Sequence, residues 1–270
     1  MVDDWGGEKG RFWAEHAEWF TRMLAGFAPP VIAGAALQPG ERVLDVGCGC
    51  GDLSLAAAEA VGPTGSVVGV DLSVDELGVA ADRAAGVDQL SFELGDAGAV
   101  ELAPPFDALI SRFGVMFFGD PVGAFTHLRS LLGDDGRLAF VAWTRPEANR
   151  WIAIARDAIT AVVPPAPPPP PDAPGPFAFA DGDRVRTILG GAGFSDVVLE
   201  EVEADVDFGP DAAAAVEFVH SMEWVKETLA PHPEDRQQEA LSAIEAAVAD
   251  HLGPDGVRLP GVAWLVRAHR

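Results

Sequence analysis

Apolar residues recur at two different spacings along this chain, and the switches between them lay out an alternation of helices and strands. Between residues 8 and 28, Phe12, His16, Trp19, Met23 and Phe27 return at steps of three and four, which predicts one helix with an aromatic face. Short runs rich in valine, leucine, isoleucine and phenylalanine then end near residues 46, 71, 94, 111 and 143, each about the length of a strand. A helix over 52–61 separates the first two. Beyond them, 146–163 sets Trp151, Ala155, Ala158 and Val162 on one helical side, and 181–189 reads as a short helix stopped by Gly190-Gly191-Ala192-Gly193. A strand over 197–206 follows. Residues 211–229 place Ala215, Phe218, Met222, Val225 and Leu229 on one stripe, and 233–252 place Leu241, Ile244, Val248 and Leu252 on another, so these two helices are expected to stack as a hairpin. A last strand over 257–268 returns to the sheet.

The chemistry gathers where the first strand runs out. Val43-Leu44-Asp45-Val46-Gly47-Cys48-Gly49-Cys50-Gly51-Asp52-Leu53 reads as a buried strand entering a glycine turn that opens a helix. Glycines there let the backbone turn sharply and approach a ligand, and the helix start offers unpaired N–H groups. A dinucleotide turn calls for its third glycine where Asp52 stands, and carboxylates at 45 and 52 repel a pyrophosphate. A ligand with cationic groups and no phosphate is attracted instead. S-adenosylmethionine, with its sulfonium and ammonium, has that chemistry.

Further segments follow in a recognisable order: Ser66-Val67-Val68-Gly69-Val70-Asp71-Leu72-Ser73, Phe92-Glu93-Leu94-Gly95-Asp96-Ala97, Phe106 through Phe118, and Leu131 through Trp143. Over residues 40–145 this succession resembles the class I S-adenosylmethionine-dependent methyltransferases, in particular the ubiquinone and menaquinone biosynthesis enzymes and allied natural-product enzymes. The resemblance implies an α/β fold with a Rossmann-like, seven-stranded, mostly parallel sheet flanked by helices and carrying a helical cap. It also implies roles. Asp45, Gly47, Cys48, Gly49 and Gly51 would form the cofactor turn, Asp71 with Leu72 would hold the ribose hydroxyls, and Asp96 with Ala97 would reach the adenine. Ser111 and Arg112 would face the methionine moiety, although Arg112 could equally hold an acceptor carboxylate or pair with a neighbouring acid.

On this reading residues 40–144 are the cofactor-binding core and 1–39 an aromatic helical segment over the site. Residues 145–180 form a cap helix and proline-rich loop, 181–208 return to the sheet, 209–256 make a second helical cap, and 257–270 supply the final strand. The prolines of 164–171 predict an extended polyproline connector, with a partner motif as the alternative.

Charge narrows the acceptor. With 42 acidic against 18 basic residues, the net charge is −24, and the arginines are scattered, which argues against a nucleic acid. No basic start precedes an apolar leader and no apolar run is long enough to cross a bilayer, so a cytoplasmic protein without membrane or metal is expected. The 2 cysteines, Cys48 and Cys50, lie inside the turn, too close for a normal disulfide and small enough to need no role.

The expected activity is transfer of a methyl group to an oxygen or nitrogen of a small, rather apolar metabolite by in-line displacement. Proximity and exclusion of water would do most of the work. Tyrosine is absent, which leaves His16 and His220 as the histidines best placed to act as a base. Phe12, Trp13, Trp19, Met116, Phe117 and Met222 are expected to line the acceptor side. Two rivals remain on sequence alone: an NAD-dependent oxidoreductase, and a noncatalytic protein that binds the cofactor or a partner.

Overall fold

A computed structural model describes residues 5–165, 170 and 173–270. The amino-terminal segment is broken rather than continuous: α1 (Glu8–Glu15) and α2 (Ala17–Leu24) meet at His16, a single 3-10 turn follows, and α3 (Ala28–Ala35) completes it. His16 leaves helical geometry at φ −110° and ψ 21°, and no glycine or proline marks the place. Met23 and Phe27 are buried as the stripe predicts, with Phe20 buried beside them and Trp19 half-buried. Pro29 and Pro30 sit in the first turn of α3, where a missing N–H costs nothing.

The core then alternates. β1 (Arg42–Val46), α4 (Asp52–Val61), β2 (Ser66–Asp71), α5 (Val74–Arg83), β3 (Leu90–Leu94), β4 (Phe106–Arg112), α6 (Pro121–Leu131) and β5 (Leu132–Trp143) form the parallel part of the sheet. Next come α7 (Arg150–Thr160), α8 (Gly182–Gly191), β6 (Ser195–Asp207), α9 (Ala212–Ser221), α10 (Glu223–Leu229), α11 (Glu234–Ala249), the two-residue β7 (Leu252–Gly253) and β8 (Gly256–His269). The main strand order is β3-β2-β1-β4-β5-β8-β6, with β8 antiparallel to both neighbours. The expected seven-stranded, mostly parallel sheet is therefore present. Strand order reverses between β1 and β4, and right-handed crossovers send the helices after β1 and β4 to opposite faces. In open α/β sheets the crevice outside the carboxyl ends of the strands at such a point is where ligands bind.

The cap differs in detail from its expected form. The predicted helix over 211–229 is two helices, broken at Met222 with an extended φ of −63° and ψ of 133°. The predicted helix over 233–252 stops at Ala249, and Leu252 is exposed in β7 rather than on the apolar stripe. The helix expected from Pro146 begins instead with a 3-10 turn and becomes α-helical at Arg150. Asn149, between the two, is fully buried: its Oδ1 accepts from the Val262 N–H (3.0 Å) and its Nδ2 donates to the Val262 carbonyl (3.1 Å), extending the β5–β8 ladder with a side chain. The same Oδ1 accepts from Trp151 Nε1 and so aims that ring at Trp143. α11 packs against both α7 and α9, which joins the two excursions. Residues 166–169, 171 and 172 of the proline-rich connector lie outside the described residues.

Candidate functional site

The carboxyl ends of β1, β2, β3 and β4 bring most of the expected residues to one crevice. Alternating left-handed glycines lift the turn after β1 over the sheet, and its side chains point inward: Cys48 and Cys50 are both buried. Burial among acids pushes the Cys50 thiol up to about 12 and the Cys48 thiol well above its usual value, so neither thiol offers a nucleophile.

Asp71 closes the turn from the next strand. Its Oδ2 accepts the Gly49 N–H (2.8 Å) and its Oδ1 the Ser73 N–H (2.9 Å), so one carboxylate ties the glycine turn to the start of α5. Burial raises its pKa against those hydrogen bonds. The Leu72 N–H bears on the same carboxyl, which still has acceptor capacity left for a ligand. Leu72 beside it is exposed. Asp96 at the end of β3 is exposed and accepts the Gly98 N–H (2.8 Å), while Ala97 is buried.

Other expected cofactor residues prove to be supports. Asp45 is completely buried beneath the turn; Ser54 Oγ donates to its Oδ2 (2.6 Å), and its Oδ1 has no partner. Ser111 is also fully buried and spends its hydroxyl on the Val46 carbonyl (2.6 Å), locking β4 to the end of β1. Neither side chain faces the crevice. Arg112 takes the ion-pair alternative, donating to Asp52 Oδ2 (3.2 Å) and to the Leu24 carbonyl (3.4 Å). Asp52 also accepts from Thr21 and pairs with Arg83 (3.3 Å), so two guanidinium groups balance it. The repulsion expected between Asp52 and a pyrophosphate therefore does not hold.

Asp45 has a measurable consequence. Desolvation, opposed by Ser54 and Arg112 and reinforced by Asp71 and Asp52, pushes its carboxyl up to about 7. The folded chain thus holds a proton that the unfolded chain releases above pH 4, and stability falls as pH rises from about 4 to 7. Asp45→Asn is expected to remove this component. Compared by denaturant melts at pH 4.5 and 7.5, wild type should lose about 3 kcal/mol more than the variant; equal losses would place the titration elsewhere.

The acceptor-side residues divide. Phe12, Trp13 and Phe117 are half-buried around the junction of α1, α2 and the β4 loop, and Met222 is half-buried at the break between α9 and α10. Trp13 stacks on Phe20 (3.6 Å, 5°), and Phe117 meets Trp5 edge to face (4.9 Å). Trp19 and Met116 belong to the packing instead: Trp19 stacks on Phe218 (4.6 Å, 12°), joining α2 to α9, and the nearly inaccessible Met116 accepts the Trp143 N–H on its sulfur (3.4 Å). Lys9 pairs with Glu223 (3.3 Å), a second tie between the amino-terminal segment and the cap.

His16 and His220 part company. His16 Nδ1 lies 2.8 Å from the Phe12 carbonyl, which can only accept, so Nδ1 carries a hydrogen and Nε2 is the nitrogen left for another partner. His220 is exposed in the last turn of α9, which is no place for a base working in a dry site.

Three residues here escaped the sequence reading. Phe113, at φ 65°, holds a left-handed conformation after β4 and stacks on Trp143 (4.1 Å, 14°). Gly114 lies so close to Gly47 that a Cβ on it would stand 2.6 Å from the Val46 carbonyl. Glu76, at the third position of α5, is buried against the glycine turn. The Phe113-Gly114 pair directly after a strand was the available signal for the first two.

The family model and the relatives in sequence are methyltransferases. A family model described as a methyltransferase domain matches residues 37–155. Nocamycin O-methyltransferase of Saccharothrix syringae is 32% identical over 201 residues, covering 68% of this chain and 69% of that protein. Demethylmenaquinone methyltransferase of Listeria monocytogenes is 33% identical over 118 residues, covering 43% of this chain and 50% of that protein, so the match spans half the length of that relative. Among solved structures, phosphoethanolamine N-methyltransferase 2 of Haemonchus contortus, in complex with phosphomonomethylethanolamine and S-adenosylhomocysteine, gives a TM-score of 0.56 at 16% identity, covering 95% of this chain and 57% of that one. That likeness is one of fold.

Proposed function

This chain belongs to the class I S-adenosylmethionine-dependent methyltransferases, and we propose that it methylates an oxygen or nitrogen atom of a small, rather apolar metabolite. The cofactor is S-adenosylmethionine, which supplies an electrophilic methyl group on its sulfonium. The residues present fit it: a bare glycine turn at the switch point, the Asp71 carboxylate with acceptor capacity left, and the exposed Asp96 at the next strand end. The NAD alternative finds no support among the relatives.

The observation that carries the acceptor reading is the aromatic seam between α1, α2 and the β4 loop, where Phe12, Trp13 and Phe117 stand half-buried beside the crevice. Such a wall favours an apolar acceptor and keeps water from the displacement. A net charge of −24 disfavours a polyanionic one, so nucleic acid is not the proposed partner. Among the described residues no helix is long and apolar enough to cross a membrane, and none of them form a metal-binding cluster. We place the reaction in the cytoplasm, with residues 40–144 as the cofactor-binding core and 1–39, 145–180 and 209–256 as the acceptor walls.

A hydroxyl acceptor needs a proton removed during transfer, whereas a neutral amine does not. His16, with Nε2 left for another partner, is the proposed base in the first case. Incubation of the protein with methyl-labelled S-adenosylmethionine and an extract of its source should release S-adenosylhomocysteine and label one small, organic-soluble product. Label entering nucleic acid, or no turnover with any fraction, would sink the proposal.

A further inference from the structure

The sequence Ser73-Val74-Asp75-Glu76 at the start of α5 has the form of a capping box, in which a serine accepts the N–H of the third helical residue and the glutamate there reaches back to the serine N–H. Only half of that box forms. Ser73 Oγ accepts the Glu76 N–H (3.1 Å), but the Ser73 N–H goes to Asp71 Oδ1 (2.9 Å). Asp71 has taken the donor that Glu76 would have used.

The displaced carboxyl turns inward. Glu76 is 3% exposed, and its Oε2 lies so near the glycine turn that a Cβ on Gly49 would stand 2.9 Å from it. The same oxygen is 4.0 Å from Cys50 Sγ, a weak donor, and among the described residues no ion pair reaches it. A carboxyl buried this far with so little to bond is costly to keep out of water. Two acids therefore flank one turn. Asp71 accepts the Gly49 N–H, and Glu76 lies against the Gly49 Cα.

Resting on the cofactor assignment above, we propose that Glu76 is a second ribose-contacting residue, so that the vicinal hydroxyls of the cofactor are held by a pair of carboxyls beside Gly49 rather than by Asp71 alone. The two acids have complementary hydrogen-bonding capacity. Burial, reinforced by the Asp71 charge, pushes the Glu76 carboxyl up to about 9, so it stays protonated at neutral pH and can donate as well as accept. Asp71, as a carboxylate, only accepts. A diol, whose hydroxyls each donate and accept, suits such a pair, and a nucleoside without the hydroxyls would leave both acids without their partner.

Isothermal calorimetry with S-adenosylhomocysteine and its 2′,3′-dideoxy analogue tests this on wild type, Glu76→Met and Glu76→Gln. The Met variant is expected to lose at least tenfold in affinity for S-adenosylhomocysteine and less than threefold for the dideoxy analogue. The Gln variant, which keeps a neutral donor and acceptor, should stay within threefold of wild type for both. Glu76 is a packing residue only if Met binds S-adenosylhomocysteine as wild type does, if Met weakens both ligands equally, or if Gln loses as much as Met. Wild type failing to bind S-adenosylhomocysteine at all would instead overturn the cofactor assignment.

Discussion

In a Gly47→Ala variant, S-adenosylhomocysteine binding is expected to fall more than a hundredfold and stability by about 3 kcal/mol, roughly a 6–10 °C drop in melting temperature. Two costs combine. Gly47 has φ +66°, where an L side chain pays about 1–2 kcal/mol, and its Cβ would stand 2.8 Å from Gly114 Cα, which is backbone and cannot swing aside. To admit the methyl group the turn after β1 must move away from the loop after β4, and that moves the ligand-facing backbone as well. Gly62 is the control: it has nearly the same φ of +65° with nothing within 4 Å. Gly62→Ala should lose only the conformational part, about 1–3 kcal/mol because its ψ of −173° is a region essentially reserved for glycine, and keep its cofactor affinity. If the two variants behaved alike, the contact between Gly47 and Gly114 would carry no weight.

Asp71→Ala is expected to weaken S-adenosylhomocysteine binding by about a hundredfold while changing the melting temperature of the ligand-free protein by less than about 2 °C. The affinity falls because the proposed ribose contact goes and because the Gly49 and Ser73 N–H groups lose their acceptor, which frees the turn. Stability changes little for a separate reason. Burial raises the Asp71 pKa above its ordinary value, so at neutral pH keeping this carboxylate charged already opposes folding, and its removal offsets the lost hydrogen bonds. A large fall in both quantities would make Asp71 a structural residue; unchanged affinity would put the ribose elsewhere.

The glycine turn and the strand-end acids were legible because each lies within a short local pattern: an apolar run, then a turn residue or an acid. The breaks at His16 and Met222 were not, since the stripe of apolar residues continues across both and neither break has a glycine or proline to announce it. Tertiary packing decides there. Trp19 is the instructive residue, because it stacks on Phe218, about two hundred positions away, against which Phe20 also packs. Asp45, Ser111 and Arg112 were located correctly along the chain but not in depth, for sequence gives the end of a strand and not which side of the sheet a side chain finds its partner on. Glu76 was hidden by a pattern that has an ordinary explanation. Only the competing Asp71, two residues before the capping serine, shows that the box is half open.

The position of β8 between β5 and β6 bears on how the chain is made. More than a hundred residues separate the end of β5 from the start of β8, roughly 5–20 s of synthesis at ribosomal rates, and for that interval β5 has no neighbour on one side, while β6, made in the later part of it, has none at all until β8 arrives. Exposed strands of this length recruit one another from different molecules. β6 carries Asp196, Glu200, Glu201, Glu203, Asp205 and Asp207 along thirteen residues, and remains at the sheet's edge after folding. A nascent chain bearing that strand repels its copies on a polysome, so part of the chain's acidity serves its manufacture as well as its chemistry.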